Sequence, residues 1–235
     1  MRRVGLLAVL GPMVVGCGGG DVRPVALIAS SLRPALNAQG PDVRSSFEAS
    51  SAIAAQVRQG SGADVVVVAD PKILAALARE GLVESPAIVA RNAIAVLVPL
   101  GNPRGLHSLA DLAANGRRVV IASKGVPLGA YTRTVLARAG ANGVLENVVT
   151  EEPDASGVVG KVAQGEVDAG IGYASDLASR RVDGFVVPDA VQVEVRYEAA
   201  VVTGTRRRPA AAAYVKWLTG PEGSAALVAA GFKTP

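Results

Sequence analysis

The chain has 235 residues, of which 50% are hydrophobic and only 3% aromatic, and its formal net charge is +4. This composition predicts a packed α/β protein and argues against disorder. The basic residues are scattered along the chain, so a nucleic-acid interface is not indicated. The length allows one large domain or two smaller lobes.

The N-terminus carries the strongest local signal. Two arginines precede an apolar stretch over residues 4–15 that is too short to span a bilayer, as is typical of a signal peptide. The following Val-Val-Gly-Cys resembles the lipobox of bacterial lipoproteins, in which the cysteine becomes the lipidated N-terminus. We therefore predict a signal peptide over residues 1–16, lipid attachment at Cys17 and a tether over residues 17–23. An ordinary signal peptide with an incidental cysteine is the alternative, and both readings predict an exported protein.

Strands and helices alternate along the rest of the chain. Short apolar runs predict strands over residues 24–29, 43–47, 65–68, 92–99, 118–122, 147–150, 167–173, 185–188 and 192–202. Caps and glycine stops predict helices over residues 32–37, 52–59, 71–80, 106–114, 130–139, 156–164, 209–218 and 221–230. This alternation predicts parallel sheets with crossover helices.

Two segments of the chain resemble each other. Residues 56–70 and 161–176 each contain a helix ending in V-x-Q-G, a turn, an aspartate that opens a strand, and a second aspartate after the strand. The similarity predicts two lobes of like construction, with helix N-termini at Ser50 and near Ala155. A chance match is the alternative for so short a segment.

Residue types that carry catalysis or bind metals are scarce. The single histidine, His107, is predicted on a surface helix, and neither a G-x-S-x-G elbow nor a P-loop occurs. No His/Cys cluster has metal-ligand spacing. Four aspartates at strand ends suit structural capping better than cation binding: Asp64, Asp70, Asp168 and Asp176.

The candidates for anion binding are neutral groups. Serine pairs at residues 30–31 and 50–51 lie between a strand and a helix, where a hydroxyl such as that of Ser50 is expected to cap the helix. Other helix starts follow residues 127–129 and 154–155. Strand carboxyl ends and helix amino ends share one edge of a parallel sheet. Free N–H groups and hydroxyls gathered there would bind a small dianion.

These segments together resemble the periplasmic molybdate-binding proteins, the solute receptors of molybdate ABC transporters. The resemblance rests on A-S-S-L at 29–32, S-F-E-A-S-S at 46–51, A-D at 63–64 and 69–70, P-L-G-A-Y at 127–131, G-Y-A-S-D at 172–176 and G-F at 231–232. It runs from about residue 24 to residue 235, which is nearly the whole predicted mature chain.

The resemblance implies an α/β, two-lobed periplasmic-binding-protein fold (type II-like), each lobe a mainly parallel sheet flanked by helices, with a ligand cleft between the lobes. Lobe 1 would comprise residues 24–98 plus 200–235, and lobe 2 residues 99–199. The lobes would close around molybdate or tungstate and deliver it to the permease of an ABC transporter with its ATPase. We expect a monomer with no cofactor and no enzymatic activity, in the periplasm or anchored at the outer face of the membrane.

The resemblance also implies which residues contact the oxyanion. The family's positions fall on five residues of this chain: Ser31, Ser50, Leu128, Ala155 and Tyr173. The two serines and the tyrosine would donate through hydroxyls, and Leu128 and Ala155 through backbone N–H groups. Ser30 and Ser51 are expected in support. No metal cation is expected as a direct ligand, because molybdenum enters only as molybdate.

Two positions depart from the family pattern. Leu128 replaces the usual alanine, which keeps the N–H donor but adds bulk that must point away from the ligand. Val68 and Ala69 stand where the family commonly has serine and alanine, so no anion contact is expected at that serine position.

Three alternatives stay open. The chain could be a receptor for sulfate or another oxyanion; phosphate is less favoured because a protonated ligand needs an acceptor, and only hydroxyls and Asp154 offer one. It could be an enzyme on a periplasmic-binding-like fold, which the lack of a nucleophile–base pair disfavours. It could also be a surface protein without a ligand.

Overall fold

Residues 23–37 and 39–235 are described by the computed structural model. The predicted signal peptide over residues 1–16 and the predicted lipid-attachment residue Cys17 lie outside the described residues. Within the described ranges, no helix is both long and apolar enough to cross a membrane.

The strands are β1 (Val25–Ala29), β2 (Arg44–Glu48), β3 (Val65–Val68), β4 (Ala87–Asn92), β5 (Ile94–Val98), β6 (Val119–Ala122), β7 (Val148–Glu152), β8 (Ala169–Tyr173), β9 (Asp183–Val186) and β10 (Val195–Val201). The α-helices are α1 (Arg33–Leu36), α2 (Ser50–Arg58), α3 (Pro71–Arg79), α4 (Leu109–Ala113), α5 (Pro127–Arg138), α6 (Ala155–Ala163), α7 (Ala174–Leu177), α8 (Arg208–Thr219) and α9 (Pro221–Ala229). Short 3₁₀ turns lie at Ser30–Leu32, Asn142–Asn147 and Asp189–Val191.

These strands form two five-stranded sheets of the same plan, with the orders β2-β1-β3-β10-β4 and β7-β6-β8-β5-β9. In the first sheet only β10 runs against the other strands, and in the second only β5 does. Helices flank both sheets. The predicted α/β class with mainly parallel sheets is confirmed.

The central strands β3 and β8 are buried for different local reasons. In β3 the four valines of Val65–Val68 are fully buried, as suits a strand covered on both faces. In β8 a Cβ at Gly170 would lie 2.8 Å from a methyl of Val162, so glycine lets α6 pack closely on the strand.

The internal similarity of the sequence reappears in three dimensions. Asp64 opens β3, and its carboxylate accepts the N–H of Val25 at 2.7 Å. Asp168 precedes β8 and accepts the N–H of Arg118 at 3.0 Å in the same way. Each aspartate thus ties the central strand to its parallel neighbour, which is β1 for Asp64 and β6 for Asp168. This supports the structural interpretation of both aspartates.

The chain crosses between the sheets at Ala93 and again just before Val195. The side chain of Gln192 joins these crossings: it accepts the N–H of Ile94 at 3.0 Å and donates to the carbonyl of Ile94 at 2.8 Å. The strand predicted over residues 92–99 corresponds to β5, whereas β4, which lies in the first sheet and ends at Asn92, was not predicted. The polar residues Arg91 and Asn92 end β4, and the apolar run that forms β5 begins at Ala93.

This strand pairing corrects the predicted lobe limits. Ile94–Val98 was expected in lobe 1 but pairs in the second sheet. The part of β10 before residue 200 was expected in lobe 2 but pairs in the first sheet. We therefore use "first lobe" for the first sheet with its helices, and "second lobe" for the second.

Two helices differ most from their predicted bounds. The helix predicted from residue 130 begins at Pro127, because proline fits the first helical position, where its missing N–H costs nothing. The helix predicted over residues 106–114 is confined to α4. Ser108 and Asp111 form a capping box at the start of α4.

Candidate functional site

A small cavity lies between the two lobes, where β1, β3 and β8 end and α2, α5 and α6 begin. Its volume of about 10 Å³ is close to the minimum that holds a single water. The cleft is therefore narrow, and a polyatomic ion needs it to widen slightly.

Both lobes contribute to the wall, which consists of Ala29, Ser30, Ser31, Glu48, Ala49, Ser50, Ala69, Val126, Pro127, Leu128, Ala155 and Tyr173. The five residues predicted to contact the oxyanion, and Ser30, are thus brought to one place. Ser51 is not; it lines a neighbouring pocket. No lysine, arginine or histidine is among the described residues that line the cavity.

Ser50 is held in place by the first lobe. Its predicted role as a helix cap is wrong, because Ser50 is already the first residue of α2 and Ala49 occupies the cap position. The Ser50 hydroxyl oxygen instead accepts the N–H of Ala69 at 3.0 Å. A hydroxyl that accepts this bond still has its own proton to donate.

Ser31 has a buried partner on the returning strand β10. The hydroxyl oxygens of Ser31 and Tyr197 lie 2.9 Å apart. Burial raises the pKa of Tyr197, so its phenol stays protonated and can donate to Ser31. With Tyr197 as donor, the proton of Ser31 is free for the cavity.

The second lobe offers backbone N–H groups from two helix starts. Leu128 is the second residue of α5 and Ala155 the first residue of α6, so neither N–H has a partner within its helix. A Cβ at residue 129 would lie 2.1 Å from the carbonyl oxygen of Ser123, so Gly129 permits the close approach that sets the start of α5. Asp154 caps α6 by accepting the N–H of Gly157 at 2.9 Å.

The Leu128 side chain must place its bulk away from the ligand. It is 1% exposed and belongs to the main hydrophobic core. The larger side chain is thus accommodated by packing, and Leu128 is still one of the residues that line the cavity.

Tyr173 ends β8 and is 1% exposed. Its ring packs edge-on against Tyr197, with centroids 6.1 Å apart. Burial, with smaller effects from Tyr197, Tyr131, Asp176 and Asp70, raises the pKa of Tyr173 well above its ordinary value, so the hydroxyl is a neutral donor. No hydrogen bond to this hydroxyl is found among the described residues.

Sequence reasoning did not identify two tyrosines that support the site. Tyr197 lies 166 residues from Ser31 along the chain, and nothing in the alternating pattern of β10 marks it. Tyr131 donates from α5 to the carbonyl of Ala69 at 3.1 Å. Tyr131 belongs to the P-L-G-A-Y segment, which was a signal that could have found it.

A larger pocket lies at the opposite end of β3, lined in part by residues 60–64 and 202–207. Its basic residues Arg206 and Arg207 make it a second place for an anion to be considered. However, Arg207 forms an ion pair with the buried carboxylate of Asp64 at 3.1 Å. The pocket also lies away from the strand carboxyl ends, where ligands of open α/β sheets bind.

The chemistry of the interlobe cavity is that of hydrogen-bond donation. Three helix N-termini point their unpaired N–H groups and positive dipole ends toward it, which favours a small anion. No group of three or more His, Cys, Asp or Glu residues suited to a metal ion occurs in the described part of the chain. His107 is exposed and lies outside the cavity wall.

Known proteins resemble this chain in sequence and in fold. The family of bacterial extracellular solute-binding proteins matches residues 28–233. The molybdate-binding protein ModA of Mycobacterium tuberculosis is 34% identical over 199 residues, which cover 83% of this chain and 75% of that protein.

Two solved structures show the same fold. The periplasmic molybdate-binding protein of Azotobacter vinelandii superposes with a TM-score of 0.80 at 21% identity, covering 91% of this chain and 100% of that one. The sulfate-binding protein SubI of Mycobacterium tuberculosis superposes with a TM-score of 0.75 at 21% identity, covering 89% of this chain and 85% of that one. The family match spans nearly all of the described residues, and we conclude that this chain belongs to the bacterial extracellular solute-binding proteins.

Proposed function

We propose that this protein is an exported receptor that binds molybdate or tungstate between its two lobes and delivers it to an ABC transporter. One observation carries the proposal: hydroxyl and N–H donors from both lobes converge on one cavity whose described lining contains no cation. The names of the molybdate-binding relatives support the choice of ligand. Tungstate is grouped with molybdate because both are dianions of similar size and shape.

The donors are numerous enough for useful affinity. The proposed contacts are the hydroxyls of Ser31, Ser50 and Tyr173 and the N–H groups of Leu128 and Ala155, with the N–H of Ser31 and the neighbouring Ser30 in support. A hydrogen bond to a charged group contributes roughly 1.5–3 kcal/mol. Five or more such bonds reach the roughly −8 kcal/mol of micromolar binding after the costs of ordering.

The neutral lining also suits a transport receptor. The ligand is released without leaving a buried positive charge unpaired, which would be costly. Closure of the lobes around the oxyanion would present the bound form to the permease, and opening would release the ligand.

Sulfate is the second candidate, because the sulfate-binding protein SubI shares the fold. Phosphate is less suited, since a protonated oxyanion needs an acceptor. The carboxylate of Glu48 is the one acidic group of the described wall, and it already accepts bonds from Ser46 and Gln56. Asp154 likewise accepts the N–H of Gly157.

The remaining parts of the proposal concern the setting of the protein. We infer lipid attachment at Cys17, a position at the outer face of the membrane, a monomeric state, and a role without cofactor or enzymatic activity. The names of the relatives, as binding proteins, support the last point. Mass spectrometry of the membrane-bound protein would test the modification of Cys17.

Titration calorimetry with molybdate, tungstate, sulfate and phosphate tests the function. We expect tight binding of molybdate and tungstate, weaker binding of sulfate and the weakest binding of phosphate. No heat with any of the four ions would contradict the receptor, and sulfate binding as tight as that of molybdate would contradict the assigned specificity.

A further inference from the structure

Two hydroxyl groups of the second lobe reach across the cleft to the first lobe. The hydroxyl of Tyr131 donates to the carbonyl oxygen of Ala69 at 3.1 Å. The hydroxyl of Ser156 donates to the carbonyl oxygen of Ser30 at 3.3 Å. Neither donor lines the anion cavity. We propose that Tyr131 and Ser156 are positioning residues that form a latch, which holds the lobes closed and sets the first-lobe donors toward the oxyanion.

The Tyr131 bond acts on the residue that orients Ser50. Ala69 accepts from Tyr131 through its carbonyl oxygen, and its N–H donates to the Ser50 hydroxyl oxygen at 3.0 Å. Both backbone groups of Ala69 are therefore fixed, one by each lobe. When Tyr131 is in place, the oxygen of Ser50 is occupied as an acceptor and its proton is directed to the ligand.

Tyr131 remains a donor at all pH values of interest. Burial, the largest cause, and the nearby Asp70 raise the pKa of its phenol. Since a carbonyl oxygen can only accept, the direction of the bond from Tyr131 to Ala69 is fixed.

The Ser156 bond acts on the first serine segment. The carbonyl oxygen of Ser30 and the N–H of Ser31 belong to one peptide group. A hydrogen bond accepted at that oxygen polarises the N–H and strengthens it as a donor. Ser156 follows Ala155 at the start of α6, so the same helix turn supplies an N–H to the cavity and a hydroxyl to the opposite lobe.

Both bonds connect one lobe with the other, so they form only when the lobes are closed. They add to the stability of the closed state relative to the open one, and the ligand's affinity depends on that balance. Loss of either hydroxyl should therefore weaken binding without removing a ligand contact. The expected effect is roughly threefold to tenfold for each bond, mostly as faster release.

The test compares Tyr131→Phe, Ser156→Ala and the double variant with the unmodified protein, using sodium molybdate as the ligand. Calorimetry gives affinity, and stopped-flow mixing gives the rate of release. Small-angle X-ray scattering, with and without molybdate, gives the radius of gyration. We expect release from each single variant to be roughly threefold to tenfold faster, and a larger radius of gyration for the ligand-free double variant.

Two matched controls separate a latch from a general loss of structure. Tyr214→Phe removes a buried phenol hydroxyl that has no hydrogen-bond partner in the described structure. Thr134→Val removes a hydroxyl on α5 that bonds the carbonyl of Ala130 within the same helix. Neither control should change the release rate. A merely structural role for Tyr131 would lower the melting temperature and leave release unchanged.

The inference rests on the proposed function, and the two can fail separately. If the unmodified protein binds none of the four oxyanions, the receptor proposal is contradicted. If it binds molybdate, but both variants release it at the rate of the controls and keep the unmodified radius of gyration, only the latch is contradicted.

Discussion

The two lobes share one strand plan but offer different kinds of donor to the cleft. The first lobe presents the hydroxyls of Ser31 and Ser50, each oriented by a further hydrogen bond within that lobe. The second lobe presents the helix-start N–H groups of Leu128 and Ala155, together with the hydroxyl of Tyr173. A hydroxyl depends on the identity of the residue, whereas an N–H depends only on where the helix begins. The second lobe can therefore accept a leucine at position 128.

The largest loss of affinity is expected from the first-lobe serines. Ser31→Ala and Ser50→Ala should each weaken molybdate binding by roughly 1.5–3 kcal/mol, since each removes one donor to a charged ligand. Calorimetry measures the change. Ser51→Ala is the matched control, because Ser51 lies outside the cavity wall and should leave affinity unchanged.

The serine variants also separate ligand binding from a purely structural role. Ser50→Ala leaves the N–H of Ala69 without its acceptor, so a lower melting temperature is expected as well. Unchanged affinity with lower stability would show that Ser50 serves only the fold.

The second-lobe N–H donors can be tested at one position with two substitutions. Leu128→Pro removes the N–H in the first helical turn, where proline is tolerated, and should weaken binding about tenfold. Leu128→Ala keeps the N–H and should change affinity less than about threefold. It should nevertheless lower the free energy of unfolding by about 2–5 kcal/mol, because Leu128 is buried in the core.

These two variants decide whether the second lobe works through its backbone. The decisive quantity is the ratio of the two affinities, measured by calorimetry at a temperature where both proteins are folded. Equal affinities of the two variants for molybdate would exclude the Leu128 N–H as a ligand contact.

Tyr173 is the one side-chain donor of the second lobe, and a smaller effect is expected there. Tyr173→Phe should weaken binding about tenfold, at the lower end of the effect of one lost hydrogen bond to a charged ligand. Its melting temperature should not fall, because the hydroxyl has no partner in the described structure. A stable variant with unmodified affinity would exclude the hydroxyl as a ligand contact.

The last prediction concerns stability rather than affinity, and it compares two aspartates that follow the central strands. Asp70 caps α3 in the first lobe, whereas Asp176 is buried in the second. Burial raises the pKa of Asp176 from 3.8 to about 7, against a lowering by the N–H of Tyr173. Between these values the folded state holds a proton that the unfolded state has lost, so the free energy of unfolding should fall as pH rises from about 4 to about 7.

Denaturant unfolding across that pH range measures the effect. Asp176→Asn should reduce the dependence of the unfolding free energy on pH. A smaller dependence should remain from Glu198, because burial raises the pKa of that residue as well. A slope that the substitution leaves unchanged would exclude Asp176 as its source.

The sequence was sufficient to predict that strands and helices alternate, because β-branched runs such as Val65–Val68 and helix stops such as Gly60 are local signals. It was not sufficient to predict the change of sheet at Ala93, because that change depends on strand pairing across the fold and not on a local pattern. Ser50 shows the same limit within the site. Its position next to a helix predicted a cap, whereas a bond to Ala69, distant in sequence, decides its role.

Tyr197 shows the same limit of prediction from local sequence. The resemblance of short motifs pointed to Ser31, Ser50 and Tyr173, and all three line one cavity. Tyr197, which holds Ser31, carries no local motif, because its role arises only when β10 returns to the first sheet.

The central claim is that neutral donors from both lobes hold the oxyanion. Crystals of the protein grown with molybdate, with anomalous scattering measured at the molybdenum edge, test it most directly. We predict one molybdenum peak in the interlobe cavity, with oxyanion oxygens about 2.6–3.2 Å from the donors of both lobes and no lysine or arginine in contact. A peak instead in the pocket of Arg206 and Arg207, or one bound by a cationic side chain, would contradict the account.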